Sequence, residues 1–105
     1  MHARVVFTQA QTGSGRTDEA IQLYRDAVVP VAKQQRGFKG ILQLVDRATG
    51  KGISISLWET EPDLQAGEAS GYYQQQIAKF APFFSAPPVA EVYGVSVYEM
   101  SVYES

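Results

Sequence analysis

Apolar and polar positions alternate most regularly between Gly37 and Glu59, GFKGILQLVDRATGKGISISLWE. Two runs of period two flank a cluster of turn formers, Asp46-Arg47-Ala48-Thr49-Gly50-Lys51-Gly52, so the stretch reads as a long antiparallel hairpin. In its second arm Ile53, Ile55 and Leu57 leave one face while Ser54, Ser56 and Trp58 leave the other, because successive side chains of a strand point in opposite directions. The first set is plain core. The second is small, polar and aromatic at once, a composition that suits a wall lining a cavity. Ala3 to Ala10 is a further β-rich run, with Val5 and Phe7 on one face and Arg4, Val6 and Thr8 on the other.

Between these runs the period changes to that of a helix. Thr17-Asp18-Glu19-Ala20 supplies a cap and two acids for the positive end of the helix dipole. From there Ala20, Tyr24, Ala27, Val28 and Val31 fall on one stripe. Pro30 removes a backbone donor and should bend or loosen this helix, and Arg36-Gly37 should end it. A second helix should begin at Thr60-Glu61-Pro62-Asp63. Gly67 and Gly71 weaken it by roughly 1 kcal/mol each relative to Ala, so a break is expected near Ser70-Gly71. Tyr72 and Tyr73 lie about 100° apart around a helix. The reading sends Tyr73 into the core, with Ile77 and Phe80, and Tyr72 to a pocket mouth. Ala86-Pro87-Pro88 stops the helix, and Val89 to Tyr103, dense in Val and Tyr, reads as one long final strand.

The order strand, helix, strand, strand, helix, strand predicts an α+β, ferredoxin-like βαββαβ domain over residues 1–105: a four-stranded antiparallel sheet with two helices on one face. Two helices cover only one face. The other is expected to carry Val6, Thr8, Gln43, Ser54, Ser56 and Trp58, too apolar and aromatic to stay wet, with a second copy as its cover. The expected unit is therefore a homodimer, pairing into a dimeric α/β barrel. A run of up to 15 residues from Val89 exceeds ordinary strands, and its overrun, Met100 to Tyr103, should clasp the opposite subunit.

Composition narrows the chemistry. The formal net charge is -2, and the basic residues are scattered without a stripe, which argues against a nucleic-acid partner. Cysteine is absent, no charged-then-apolar leader opens the chain, and no run nears the ~18 apolar residues of a membrane span. A cytoplasmic protein without a membrane partner is expected. His2 is the one histidine and Asn is missing. With carboxylates alone and no clustered calcium-loop pattern, no metal site is expected. The Gly13-Ser14-Gly15 triplet reads as a connector rather than a phosphate cradle, since it lacks the further glycines and the Lys-Ser/Thr ending.

Several of these residues resemble a known family. Tyr24-Arg25-Asp26 with Pro30, Gly37-Phe38, Leu44-Val45-Asp46-Arg47 with Thr49-Gly50, and Ile55-Ser56-Leu57-Trp58-Glu59 resemble the antibiotic biosynthesis monooxygenase family of dimeric α/β barrels. Gly71-Tyr72-Tyr73 and Lys79-Phe80-Ala81-Pro82 resemble a mostly uncharacterised subgroup of it. The resemblance implies cofactor-free oxygenation, in which a phenolic substrate loses a proton in a dry pocket and its carbanion passes an electron to dioxygen. Such chemistry needs a hydrophobic slot, donors for the anion and a base near the acidic carbon. Trp58 matches the family's strand-end tryptophan. The asparagine used by aromatic-polyketide and haem-degrading relatives has no counterpart, and His2 is badly placed to be an axial haem ligand.

The candidate pocket residues are Trp58, Ser54 and Ser56, with Gln43, Thr8, Tyr72 and Arg4 around them. Each has an ordinary alternative. A lone tryptophan is commonly core, a strand glutamine is commonly solvated, and Arg4 could hold a phenolate or carboxylate or simply sit on the surface. Asp26 and Glu59 are the acids nearest the expected cavity ends, and no residue stands out as a catalytic base. Two functions follow: a cofactor-independent monooxygenase acting on a small aromatic or polyketide-like substrate, or a noncatalytic dimer binding a small apolar ligand. The missing base favours the second.

Overall fold

In a computed structural model that describes residues 1–11 and 16–101, the alternating runs become four strands: β1 (His2–Gln9), β2 (Phe38–Val45), β3 (Lys51–Trp58) and β4 (Val89–Gly94). The Gly13-Ser14-Gly15 triplet lies outside the described residues. The sheet order is β2-β3-β1-β4, with every neighbouring pair antiparallel. The hairpin closes through Asp46, whose amide donates to the Lys51 carbonyl and whose carbonyl accepts from Gly50, both at 2.8 Å. This is the expected ferredoxin-like arrangement.

The first helical region runs without a gap through α1 (Arg16–Leu23), a π-helical turn (Tyr24–Val28) and α2 (Val29–Lys33). Pro30 has no amide to donate, and the loosening it causes takes a definite form: the Val29 amide reaches back to the Tyr24 carbonyl, one residue further than in an α-helix. The second region starts as expected, with Thr60 Oγ1 accepting the Asp63 amide at 3.2 Å at the head of α3 (Glu61–Ala69). It breaks at Gly71, which has φ 83°, and resumes as α4 (Tyr72–Ala78) before a 3₁₀ turn (Ala81–Phe83). Tyr24, Val28 and Phe80 form the buried cluster between helices and sheet. Among the described residues no helix is long and apolar enough to cross a membrane.

Two expectations are corrected. The final strand does not continue to Tyr103 but ends at Gly94. Its register with β1 finishes at the His2–Gly94 pair, followed by a bond from the Val95 amide to the Met1 carbonyl. Beyond that point no strand among the described residues lies alongside it, and β-forming residues without a ladder partner make no strand. The proposed clasp from Met100 falls partly here, as exposed chain, and partly outside the described residues.

The second correction concerns the faces of the sheet. Cross-strand register groups Val5, Phe7, Leu42, Leu44, Ile53 and Ile55 on one face, and the helices leave that face open: Leu44 is 48% exposed and Val89 59%. Arg4, Val6, Thr8, Gln43, Ser54, Ser56 and Trp58 lie beneath the helices instead. Alternation divides a strand into two faces but does not say which receives the helices. That choice belongs to the hand of the crossover linking the parallel pair β1 and β2 across β3. The result also serves the polar atoms of the wall, which find partners on the helices.

Candidate functional site

Between sheet and helices lies a cavity of about 110 Å³. Thr8 and Arg4 of β1, Gln43 of β2, and Ser54, Ser56 and Trp58 of β3 form its floor, and Tyr72 closes it from α4. All the candidate pocket residues thus meet around one space, though beneath the helices rather than against a second copy.

The serines are held by aromatic donors and acceptors. Ser54 Oγ and the Tyr24 hydroxyl are 2.6 Å apart, and Trp58 Nε1 donates to Ser56 Oγ at 3.0 Å. Burial pushes the Tyr24 phenol up to about 12, with the Ser54 hydrogen bond opposing. Trp58 is buried and meets Phe38 and Tyr72 edge to face, at centroid separations of 5.9 and 6.4 Å. It is therefore a core aromatic whose edge also lines the cavity, so its two alternatives coexist.

Arg4 departs from the surface alternative, being only 2% exposed. Its NH2 donates to the Leu64 carbonyl at 2.9 Å and stands 3.5 Å from Glu68 Oε1. The guanidinium carbon lies 4.2 Å from the Tyr73 ring centroid. Arg4 Nε is buried without a hydrogen-bond partner. Burial lowers its pKa, while Glu68 opposes that shift.

The helical turn after Gly71 corrects the expectation for the tyrosine pair. Both rings reach the cavity, Tyr72 toward Trp58 and Tyr73 beneath Arg4, because α4 begins at Tyr72 and its first turn faces the sheet. Burial raises both phenols, with Arg4 opposing. Tyr24 and Gln76 were missed as site residues. The helical stripe of Tyr24 signalled only burial, since periodicity does not separate a side chain against core from one against a cavity, and nothing in the sequence singled out Gln76. Gln76 lines the space and its Oε1 accepts from Lys79 Nζ at 2.9 Å.

The acids stand elsewhere. Asp26 and Glu59 are exposed and do not line the cavity. His2 Nε2 lies 3.3 Å from Glu61 and is also outside it. Among the described residues the lining contains no Asp, Glu or His, and no group of such residues is arranged to hold a metal ion. The site offers apolar and aromatic walls, hydroxyl and amide donors, and one guanidinium. Such a set stabilises negative charge on an enclosed aromatic molecule.

No protein-family model matches the chain, and no curated protein sequence matches it. Solved structures share its fold. The structure of a putative antibiotic biosynthesis monooxygenase from Bordetella bronchiseptica has a TM-score of 0.71 at 16% identity, covering 91% of this chain and 97% of that one. The monooxygenase ActVA-Orf6 of Streptomyces coelicolor, solved with nanaomycin D, has a TM-score of 0.70 at 15% identity, covering 96% and 92%. SnoaB, a cofactor-independent oxygenase from Streptomyces nogalater, has a TM-score of 0.70 at 11% identity, covering 92% and 94%. The fold is that of these monooxygenases.

Proposed function

We propose that this protein is a cofactor-independent monooxygenase that acts on a small aromatic or polyketide-like substrate in the cavity beneath its helices. The observation that carries the reading is the partly open cavity itself, walled by Trp58, Tyr72 and Phe80 and supplied with donors by Arg4, Tyr24 and Gln43. A phenolic substrate deprotonated there is surrounded by groups that favour its anion, while its carbanion gives an electron to dioxygen. The shared fold with SnoaB and ActVA-Orf6 supports this reading. The test is oxygen uptake by chelator-treated protein with a panel of phenols running from single-ring hydroquinones to hydroxynaphthalenes and anthrones, compared with Trp58→Phe. Turnover that falls in the variant is expected; none above buffer across the panel removes the enzyme reading.

The second reading, a binding protein for a small apolar ligand, rests on one specific observation: no carboxylate or imidazole lines the cavity among the described residues. Native mass spectrometry of the purified protein would then show a carried ligand.

The same proposal includes a homodimer, formed through the open sheet face. Phe7, Leu42, Leu44, Val89 and Tyr93 are all exposed there, an apolar extent that monomers rarely leave to water. Light scattering at micromolar concentration should give twice the chain mass, and a monomer would overturn it. A cytoplasmic location belongs to this reading too, supported by the absence of cysteine.

A further inference from the structure

Among the described residues lining the cavity, Arg4 carries the sole ionic charge. A buried cation is stable when its charge and its donors are both met. Here they are met in part. NH2 serves the Leu64 carbonyl, Tyr73 covers one face of the guanidinium, and Glu68 stands at 3.5 Å with a side chain 45% exposed. Nε serves nothing. Tyr72 and Tyr73 are the other titratable groups facing Arg4, and burial keeps both phenols neutral to higher pH, so neither supplies the missing negative charge. Glu68 supplies it only from the solvent side, where its attraction is weakened.

Space and shape narrow what could complete the site. An apolar cavity of roughly 150 Å³ admits benzene; this one, at about 110 Å³, is smaller but open on one side, so it takes no more than a single ring. Gly67 keeps the approach tight, since a Cβ there would stand 3.1 Å from the Tyr72 ring and 3.9 Å from Arg4 NH2.

We infer that the cavity selects an aromatic ring bearing one ionised oxygen group, carboxylate or phenolate, with Arg4 as its counter-charge. The inference rests on the reading of this cavity as the ligand site, but not on oxygenation. It also answers the missing base. An acidic phenol entering the field of Arg4 gives its proton to bulk water on binding, so the ionised form accumulates without a protein carboxylate to take the proton.

The test uses the full chain and single-ring probes, read by the fluorescence of Trp58, the one tryptophan. Benzoate and benzamide match in shape and differ in charge. Benzoate should bind at least about tenfold tighter, the size of one added charged hydrogen bond. Equal binding, tighter binding of benzamide, or binding of neither rules out a carboxylate ligand and leaves the phenolate arm to decide, and no binding in both arms overturns the inference. In the second arm 4-nitrophenol should bind as its yellow phenolate, with its apparent pKa lowered by about one unit or more. Preference in either arm supports the anion site and says which oxygen group it takes; binding of neutral nitrophenol together with no benzoate preference overturns it. Arg4→Gln should remove the preference and Arg4→Lys keep part of it. Should Arg4→Gln not fold, Glu68→Gln decides: removing the competing carboxylate should tighten benzoate at least about twofold, and unchanged or weaker binding counts against Arg4. None of these measurements involves oxygen. A failed turnover panel therefore leaves them standing, and their failure leaves room for an oxygenase of neutral substrates.

Discussion

The Tyr24 hydroxyl stands 2.6 Å from Ser54 Oγ, joining the π-helical turn to the inner strand β3. The geometry follows from Pro30. Its missing amide widens the turn before it, and the widened turn carries Tyr24 over the sheet. A helix without that turn would present the same stripe of residues but rotate Tyr24 relative to Val28 and Phe80. The proline is thus a determinant of the cavity as well as of the helix.

This pair predicts a pH dependence of stability. An unfolded tyrosine titrates near 10, whereas Tyr24 in the fold is pushed up to about 12. Between those values the unfolded chain releases a proton that the native state keeps, so stability falls as pH rises. The contribution is complete below about pH 10 and is lost through about pH 12, on the order of 2 kcal/mol. Tyr24→Phe should cost about 1 kcal/mol at neutral pH for the lost bond and less at high pH. Urea midpoints at about pH 8 and about pH 11 measure this, and parallel losses in both proteins would contradict it.

Gly37 and Gly71 both have positive φ, 78° and 83°, yet their surroundings differ. A Cβ at Gly37 would overlap the Asp63 carboxylate, while a Cβ at Gly71 meets nothing within 4 Å. Gly71→Ala should therefore cost only the left-handed strain, about 1 to 2 kcal/mol. Gly37→Ala should cost that plus the displacement of Asp63, about 2 to 4 kcal/mol. Melting temperatures of the two variants check the order. Equal losses would mean that Asp63 yields freely.

Ser56 predicts a third result. Trp58 Nε1 has Ser56 Oγ as its acceptor, and the indole is buried. Ser56→Ala strands that N–H and should cost about 1 to 3 kcal/mol. Ser56→Thr keeps an acceptor and should lose less. Denaturation followed by tryptophan fluorescence reports the difference, and equal loss in the two variants would assign the cost to packing instead.

The hairpin, the Thr60 cap and the break at Gly71 were legible because each is local: alternation, a capping hydroxyl, a glycine. So were the members of the cavity wall, since Ser54, Ser56 and Trp58 share one face by the same alternation. What covers that wall was not legible. Crossover hand is a property of three elements together, and Ile53, Ile55 and Leu57 look as suited to helices as to a second sheet. Whether Arg4 lay in the pocket or on the surface stayed open for the same reason: once Val6 is under the helices, the residue two positions before it must be there too. The length of β4 failed differently, because propensity in Val89 to Tyr103 says what could pair and nothing about what lies alongside.

The corrected faces give the final prediction a definite target. Leu44 lies on the open side of β2, opposite Ile53, and is 48% exposed. A monomer loses little from Leu44→Glu, about 1 kcal/mol or less, since the new carboxylate can stay in water. A two-fold dimer loses far more. Symmetry places the substitution on both subunits, and each carboxylate would be buried among apolar side chains or force the faces apart. Association should weaken by about a hundredfold or more, seen by light scattering as a folded monomer, while Gln22→Glu on the exposed side of α1 should stay dimeric. Persistence of the dimer in Leu44→Glu would remove the sheet face as the interface. The cavity provides the second reading of the same variant. Its floor of Arg4, Thr8, Gln43, Ser54 and Trp58 comes from one chain, on the far side of the sheet from Leu44, so the monomeric variant should retain the benzoate preference of the parent.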